Sequence, residues 1–210
     1  AGFTVSEPDG STTVTEAGGT DTFTVVLNAQ PTTDVVLSIT SSDTGEATVS
    51  GTVTFTSANW DTPQVVTVTG IDDDIIDGTI DSTITVTIVD AISDDNFDDV
   101  SDQTVSVSTT DDDVAGFTIT ETESGTEVNE SSTTDTFKVV LNAQPTTDVQ
   151  ISVTSADTGE VTASPATLPF TPANWDIVQI VTVTGINDSV DDESQITAVT
   201  LSIGDANSDD

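Results

Sequence analysis

The stretch Thr110-Asp111-Asp112-Asp113-Val114-Ala115-Gly116-Phe117 ends one copy of an internal repeat and begins the next. The N-terminal residues Ala1-Gly2-Phe3-Thr4 return at this point as Ala115-Gly116-Phe117-Thr118. Self-similarity at a fixed spacing is the signature of a chain built from repeated structural units. The repeat predicts two domains, residues 1–114 and residues 115–210.

The second copy of the repeat is incomplete. Residues 134–149 repeat residues 20–35 with one substitution, and after one inserted residue between Glu160 and Phe170, Asp210 falls opposite Asp95. The counterpart of residues 96–114, which hold a strand and an acidic run, is therefore missing from the 210 residues. Two sources of that strand remain open. The sequence is a slice of a longer polypeptide, or an identical neighbouring subunit donates the strand, as in donor-strand assembly.

Apolar residues alternate with Thr and Ser along most of each copy, as at Phe23, Val25 and Leu27. This period of two is typical of half-buried antiparallel strands, and no segment carries a sustained helical stripe. In the first copy it predicts seven strands, at residues 2–6 with an extension near 12–15, 22–29, 34–41, 47–56, 63–70, 80–90 and 103–109. We predict an all-β chain of two tandem immunoglobulin-like antiparallel β-sandwiches of seven strands each, the second without its last strand. Because the chain has no Cys, it is not a true antibody-type domain.

The composition excludes several classes of function. The formal net charge is −37, from 38 acidic residues and a single basic side chain, Lys138. Such a chain cannot neutralise nucleic-acid phosphates, and anionic membranes should repel it. Without Cys or His it has no disulfide, thiol or zinc chemistry and no histidine acid–base catalysis. No apolar run is long enough to cross a membrane. We therefore predict a non-enzymatic chain with no small-molecule substrate.

Alternating strand direction predicts where the acidic residues gather. In a seven-stranded antiparallel sandwich, the first, third and fifth connections and the end of the last strand share one pole. The acidic residues expected at that pole are Glu16, Asp43, Asp72, Asp73, Asp74, Asp77, Asp111, Asp112 and Asp113.

So many carboxylates at one pole predict a bound cation. Two unit charges about 4 Å apart repel by roughly 4 kcal/mol at an effective dielectric constant near 20. Ca²⁺ takes six to eight oxygen ligands, whereas Mg²⁺ demands stricter geometry and fewer protein ligands, so Ca²⁺ is the expected cofactor. The alternative is a solvated acidic face adapted to high salt.

The acidic motifs also resemble a known family. Gly70-Ile71-Asp72-Asp73-Asp74-Ile75-Ile76-Asp77 resembles the Calx-beta motif of sodium–calcium exchangers and many bacterial surface proteins. The run from Thr110 to Phe117, the turn Val14-Thr15-Glu16-Ala17-Gly18-Gly19 and the pair Ser42-Asp43 resemble further parts of that family. The resemblance implies Ca²⁺ ligation by Glu16, Asp43, Asp72, Asp73, the carbonyl of Ile75, Asp77, Asp111, Asp112 and Asp113.

The second copy departs from this pattern. The counterparts of the ligands implied by the resemblance are Glu130, Asp157, Asn187, Asp188 and Asp192. Asn187 stands where the first copy has an Asp, and the counterpart of the terminal acidic run is missing. We therefore expect a weaker or empty site in the second copy.

Near-identical tandem copies with this composition are similar to the extender repeats of large calcium-dependent, RTX-type bacterial adhesins. That resemblance implies a secreted or cell-surface protein whose repeats give stiffness and reach, with neighbouring repeats as partners. The alternative is a subunit of an extracellular filament or matrix polymer, completed by strand donation from an identical subunit.

Two further features receive structural interpretations. Trp60 and Trp175 precede a predicted strand and are expected to anchor the preceding connection against the core. The acidic loop of residues 90–102, with Asp94, Asp95, Asp98 and Asp99, is expected to be solvated, and the alternative for its equivalent in the second copy is an ion that bridges the domain boundary.

Overall fold

In a computed structural model of this chain, residues 1–8, 10–122, 125–187 and 193–204 are described. The chain forms two compact units. The first contains Ala1–Asp73 and Asp77–Asp112, and the second contains Asp74–Ile76 and Asp113–Asp210. The domain boundary between residues 114 and 115 stays a prediction. None of the helical segments in the described residues is long and apolar enough to span a bilayer.

The first unit is a sandwich of two sheets. Its strands are β1 (Phe3–Ser6), β2 (Thr12–Thr15), β3 (Thr20–Leu27), β4 (Val35–Ser41), β5 (Ala47–Val49), β6 (Thr52–Phe55), β7 (Gln64–Gly70), β8 (Ile80–Ile88) and β9 (Gln103–Thr110). One sheet has the order β1-β3-β7-β5 and the other the order β2-β9-β8-β4-β6. All pairs are antiparallel except β2 with β9, which is parallel.

The alternating sequence explains the packing of this unit. Along β3, the side chains of Phe23, Val25 and Leu27 are buried, and the residues between them are half-buried. The same alternation in β8 buries Ile84 and Val86. Since successive strand residues face opposite sides of a sheet, each strand lines the core with one of its two faces. The all-β sandwich prediction is confirmed.

Two predicted strands are divided between the sheets. The first strand becomes β1, which pairs with β3, and β2, which pairs with β9. The predicted strand 47–56 becomes β5, paired with β7, and β6, paired with β4. The chain changes sheets at Gly51, whose carbonyl oxygen accepts a hydrogen bond from the Ile39 amide (3.0 Å). Each sheet thereby gains a short edge strand, which limits its unpaired backbone.

The loop after β8 is held by one carboxylate. Two short 3-10 turns, Asp90–Ile92 and Asp95–Phe97, flank Asp94, which is buried. Its side chain accepts hydrogen bonds from the amide and hydroxyl of Thr32 (2.5 and 2.7 Å), the amide of Thr33 (3.0 Å) and the amide of Asn96 (3.0 Å). The expectation of a solvated loop is therefore wrong for Asp94, since buried carboxylates are kept where donors satisfy them.

The tryptophan of the first unit is half-buried and packs against the core. The carbonyl oxygen of Trp60 accepts a hydrogen bond from the Leu27 amide (3.2 Å), which ties the connection before β7 to the end of β3. Trp175 makes the equivalent bond with Leu141 in the second unit (3.3 Å). These contacts agree with the anchoring interpretation.

The second unit repeats most of this architecture. Its strands are β10 (Phe117–Glu121), β11 (Thr134–Leu141), β12 (Val149–Ser155), β13 (Val161–Ser164), β14 (Thr167–Phe170), β15 (Gln179–Gly185) and β16 (Val199–Ile203). One sheet has the order β10-β11-β15-β13, and the other has only three strands in the order β14-β12-β16. Within the described residues, no strand corresponds to β9.

Candidate metal centre

Glu16 is placed by the parallel pairing of β2 with β9. The register aligns Thr15 with Thr110, and the Glu16 amide continues the pairing with a hydrogen bond to the Thr110 carbonyl oxygen (3.1 Å). Glu16 therefore follows the end of β2 at the point where β9 runs into Asp111.

Glu46 is placed beside the end of β7. It directly precedes β5, which pairs with β7, and its carbonyl oxygen accepts a hydrogen bond from the Ile71 amide (2.9 Å). The hydroxyl of Thr109 in β9 also donates to this carbonyl oxygen (3.5 Å). Glu46 is thus fixed near the ends of two strands from opposite sheets.

A glycine allows these segments to approach each other closely. A Cβ atom on Gly70 would lie 2.1 Å from the Thr15 carbonyl oxygen, a separation that no side chain can adopt. The Gly70 amide donates to the Gly19 carbonyl oxygen (2.9 Å). Glycine at this position therefore brings the turn that carries Glu16 against the beginning of the acidic segment after β7.

The acidic segment after β7 is joined to the end of β9 by hydrogen bonds. One carboxylate oxygen of Asp111 accepts from the amides of Asp77 (3.1 Å) and Gly78 (2.9 Å). Gly78 has a φ of +77°, a left-handed conformation that favours glycine. The turn at residues 77–78 is thereby closed onto Asp111.

These placements gather three carboxylates. Oxygen atoms of Glu16, Glu46 and Asp77 all lie within 4.8 Å of one another. Glu16 is 1% exposed and Glu46 is 7% exposed, whereas Asp77 lies at the surface. Within the described residues, both carboxylate oxygens of Glu16 and Oε2 of Glu46 lack a hydrogen-bond partner. A carboxylate oxygen of Asp73 also lies within 4.8 Å of one of Glu16.

The electrostatic environment disfavours the charged form of these groups. Burial, followed by the charges of Asp111, Asp73, Asp77 and Glu46, raises the pKa of Glu16 to about 7. Burial is also the main cause that raises the pKa of Glu46 and that of Asp77 above their ordinary values, and neighbouring carboxylates add to it. The only Lys or Arg of the chain is the exposed Lys138, which belongs to the second unit.

The arrangement fits a hard divalent cation. Two oxygens that bind one Ca²⁺ at about 2.4 Å lie at most about 4.8 Å apart, and the three carboxylates meet this limit. All the candidate ligand atoms are oxygens, which suits Ca²⁺ or Mg²⁺ and not a soft metal. A solvated acidic face does not account for Glu16 and Glu46, because these two side chains are buried.

The remaining expected ligands of the first copy are more exposed. Asp43, Asp72 and Asp112 are exposed, and Asp43 accepts a hydrogen bond from the Gly45 amide (3.0 Å). Ile75 and Asp113 are half-buried residues of the second unit, where Ile75 forms a bridge with Gln144. Their metal ligation stays a prediction.

The expected site of the second copy is only partly described. Glu130, Asp157 and Asn187 are exposed, and Asp188 and Asp192 lie outside the described residues. Two backbone contacts of the first unit nevertheless recur in the second unit. A Cβ atom on Gly185 would lie 2.2 Å from the Asn129 carbonyl oxygen. Only glycine fits at this position, as at Gly70 in the first unit. The Ile186 amide donates to the carbonyl oxygen of Glu160, the counterpart of Glu46 (2.8 Å).

Glu46 was not among the expected ligands. The sequence does carry a signal for it, because Asp43-Thr44-Gly45-Glu46 returns as Asp157-Thr158-Gly159-Glu160. An acidic residue directly before a strand at a pole already rich in carboxylates is a candidate ligand. Only the pairing of β5 with β7 brings it next to Glu16 and Asp77.

No family model and no curated protein matches the sequence. Among solved structures, the calcium binding domain CBD12 of CALX1.1 is 17% identical, with 96% of this chain and 80% of that chain covered and a TM-score of 0.38. The E. coli chaperone DraB is 10% identical (90% and 89% covered, TM-score 0.40). Domains 4 and 5 of the S-layer protein SbsC are 16% identical (97% and 92% covered, TM-score 0.37). The β-sandwich assignment rests on the strand pairing of the chain itself.

Proposed function

We propose that this chain is a calcium-stabilised structural repeat that acts as a spacer in a large secreted or cell-surface bacterial adhesin. The observation that carries the proposal is the buried pair Glu16 and Glu46 beside Asp77, with carboxylate oxygens that have no hydrogen-bond partner in the described residues. Buried charges are retained in proteins when they are paired or coordinate a metal.

The energetics favour a bound ion. Each pair of carboxylates about 4 Å apart costs roughly 4 kcal/mol at an effective dielectric constant near 20. That cost is of the order of the whole stability of a domain, about 5–15 kcal/mol. A divalent cation between Glu16, Glu46 and Asp77 would replace this repulsion by attraction, so that metal binding becomes folding free energy.

Five residues of the first unit would hold or surround the ion. Glu16, Glu46 and Asp77 would supply carboxylate oxygens, and Asp73 and Asp111 stand next to them. Ca²⁺ accepts six to eight ligands in flexible geometry, and water would complete the shell at the exposed Asp77 side. The ion would tie together the segments that follow β2, β7 and β9 and precede β5.

The proposed location follows from the same chemistry. Extracellular calcium modules bind with dissociation constants of about 0.1–1 mM, so millimolar calcium outside the cell fills sites that stay empty in the cytosol. The chain would therefore become rigid after secretion. The motif resemblance to Calx-beta domains and adhesin repeats supports this role, as does the repeated β-sandwich.

Calorimetric titration of the full chain with CaCl₂ tests the metal site. The parent should bind Ca²⁺, and the double variant Glu16→Gln, Glu46→Gln should lose at least one site or bind about tenfold more weakly. Asp61→Asn removes one exposed carboxylate in the turn before β7 and should titrate like the parent. Equal titration of the double variant and the parent would overturn the assignment.

Single-molecule stretching tests the mechanical role. The force that unfolds the first unit should be higher in Ca²⁺ than in chelator, and the double variant should show no such difference. Antibody labelling of intact cells of the source organism would check the surface location, and labelling only after permeabilisation would contradict it.

A further inference from the structure

The two copies of the repeat differ at few positions in their most similar stretches. Residues 134–149 differ from residues 20–35 only at Lys138, where the first copy has Thr24. Residues 173–185 differ from residues 58–70 only at Ile177, Val178 and Ile180, where the first copy has Thr62, Pro63 and Val65. These replacements introduce three branched apolar side chains and the only Lys or Arg of the chain.

The replaced positions lie together in the second unit. Lys138 in β11 pairs with Ile180 in β15, and Val178 directly precedes β15. Val178 is 47% exposed, Ile180 is 54% exposed, and the preceding Ile177 is 59% exposed. Lys138 is exposed as well. The replacements therefore form one exposed apolar patch with a cation in it.

The sheet face that carries this patch has no acidic residue in its described strands. Phe137, Val139 and Val181 are buried in the core, so the residues that alternate with them point outward. The outward residues of β10, β11, β15 and β13 are Thr118, Thr120, Thr134, Thr136, Lys138, Val140, Ile180, Thr182, Thr184, Thr162 and Ser164. In a chain with 38 acidic residues, such a face is a place that another acidic molecule can approach without strong repulsion.

The first unit has an equivalent face without the cation. There Thr24 pairs with Val65, in the register of Lys138 with Ile180. A partner that docks on this face of the second unit would therefore recognise Lys138 and the larger apolar side chains beside it. The equivalent face of the first unit supplies matched controls.

We propose that this face of the second unit is an interface between two copies of this chain, which pack sheet against sheet about a twofold axis. Such an axis brings the same patch of both copies together, so Val178 and Ile180 of one copy pack against those of the other. The exposed Asp176 lies two positions before Val178, at one end of the patch. An axis that crosses the strands near Val178 places Lys138, which is level with Ile180, opposite Asp176 of the second copy.

Charge complementarity favours a second copy as the occupant. Each copy supplies both a cation, Lys138, and a carboxylate at the end of the patch, Asp176, so the twofold arrangement forms two ion pairs. Contacts through the acidic segments after β7 and β9 would instead bring like charges together, because each chain has a net charge of −37. This inference does not rest on the calcium site.

The proposed interface is small. Outward residues lie about 4.8 Å apart across the strands and about 6.6 Å apart along them, so the listed positions cover roughly 350 Å² of flat sheet in each copy. Interfaces at this end of the size range are weak. We therefore expect a dimer that forms reversibly at high chain concentration.

Sedimentation equilibrium of the full chain at concentrations up to about 1 mM tests the interface. The parent should form dimers and no larger species, and dimerisation should strengthen with NaCl, because salt screens the repulsion between the two acidic chains. Val178→Thr with Ile180→Thr should weaken dimerisation at least tenfold. Val65→Thr changes the equivalent strand position of the first unit and should dimerise like the parent.

A charge exchange tests the twofold arrangement. Lys138→Asp should weaken dimerisation at least tenfold, and Asp176→Lys in the same chain should restore it, because the exchanged pair can still form between copies. Lys138→Asp with Asp61→Lys is the control. It has the same net charge as the restored variant, but its new lysine lies in the equivalent turn of the first unit, so it should stay weak.

Cross-linking identifies the partner carboxylate, because Lys138 is the only Lys of the chain. A carbodiimide condenses the Lys138 amine with a nearby carboxylate, so that an amide bond forms and water is lost. In a mixture of light and isotope-labelled copies, mass spectrometry should find Lys138 joined to Asp176 of the other copy.

Four outcomes would overturn the proposal. They are a chain that stays monomeric at the highest concentration, oligomers that continue to grow beyond the dimer, equal weakening by Val65→Thr and by the Val178 and Ile180 replacements, and a charge exchange that restores no more dimer than its control. Cross-links of Lys138 confined to its own copy would contradict it as well.

Discussion

A carboxylate oxygen of Glu16 lies within 4.8 Å of a carboxylate oxygen of Glu46, and both side chains are buried. Two like charges in this position oppose folding unless a cation or a proton neutralises them. The pair therefore determines how the stability of the first unit should change when a metal binds or when one of the two residues is replaced.

Replacement of one member of the pair should have different effects on the melting temperature with and without calcium. In chelator, Glu46→Gln should raise the melting temperature by roughly 5 °C, because a neutral amide relieves the repulsion at Glu16. Calcium should raise the melting temperature of this variant by less than it raises that of the parent. Asp61→Asn is the control for the loss of one surface charge. An equal change of the variant in calcium and in chelator would argue against an ion at this site.

The close approach at Gly70 should make this position intolerant of any side chain. Gly70→Ala places a Cβ atom against the Thr15 carbonyl oxygen and should destabilise the chain by about 1–3 kcal/mol or more in urea denaturation. Gly51→Ala is the matched control, because nothing lies within 4 Å of the added Cβ atom. If both variants unfold at the same urea concentration, the backbones are not held as closely as described.

Asp94 should make the first unit sensitive to acid. Hydrogen bonds from the Asn96 amide, the Thr32 hydroxyl and the Thr33 amide hold the pKa of Asp94 well below its ordinary range. The folded state therefore binds fewer protons here than the unfolded state. The stabilisation is complete above the ordinary pKa of about 3.9 and is lost as the pH falls towards the lower folded value.

Asp94→Asn should consequently melt at a lower temperature than the parent at pH 6, by roughly 5 °C or more. The difference should shrink as the pH falls below about 4. Thermal melts from pH 6 to pH 2 measure it, and the exposed Asp99→Asn serves as control. A gap between Asp94→Asn and the parent that stays constant over this range would contradict the assigned hydrogen bonds.

The hydrogen bonds of Asp111 give a prediction for the turn after β7. Asp111→Ala removes the acceptor of the Asp77 and Gly78 amides, and amide exchange at these two positions should become faster. Calcium affinity should fall as well, because Asp77 loses its fixed position. Asp61→Ala removes an exposed carboxylate in the turn before β7 and should leave both properties unchanged. Exchange that is as slow in Asp111→Ala as in the parent would show that the turn holds by other contacts.

The strands could be predicted from the sequence because alternation is a local signal. Phe23, Val25 and Leu27 point to one face in any pairing, and they lie in the core as expected. The change of sheet at Gly51 was not predictable in the same way. Both β5 and β6 alternate correctly, and only their pairing partners distinguish two short strands from one long strand.

The candidate site could be predicted in part, because strand direction places Glu16, Asp77 and Asp111 at one pole. Glu46 was missed because its approach to Glu16 depends on the pairing of β5 with β7 and on the contact at Gly70. The burial of Glu16 and Glu46 could not be predicted from the sequence either, since acidic residues at strand ends are usually solvated. The role of Asp94 could not be predicted for a related reason, because two of its donor residues, Thr32 and Thr33, lie about sixty positions away along the chain.

The most direct test of the account is thermal melting of the full chain in saturating CaCl₂, in chelator and in MgCl₂. An ion at one hundred times its dissociation constant stabilises the folded state by about 2.7 kcal/mol. Calcium should therefore raise the melting temperature of the first unit by roughly 10 °C over chelator, and magnesium should raise it less. The same melting temperature in all three solutions would contradict a metal centre at Glu16, Glu46 and Asp77.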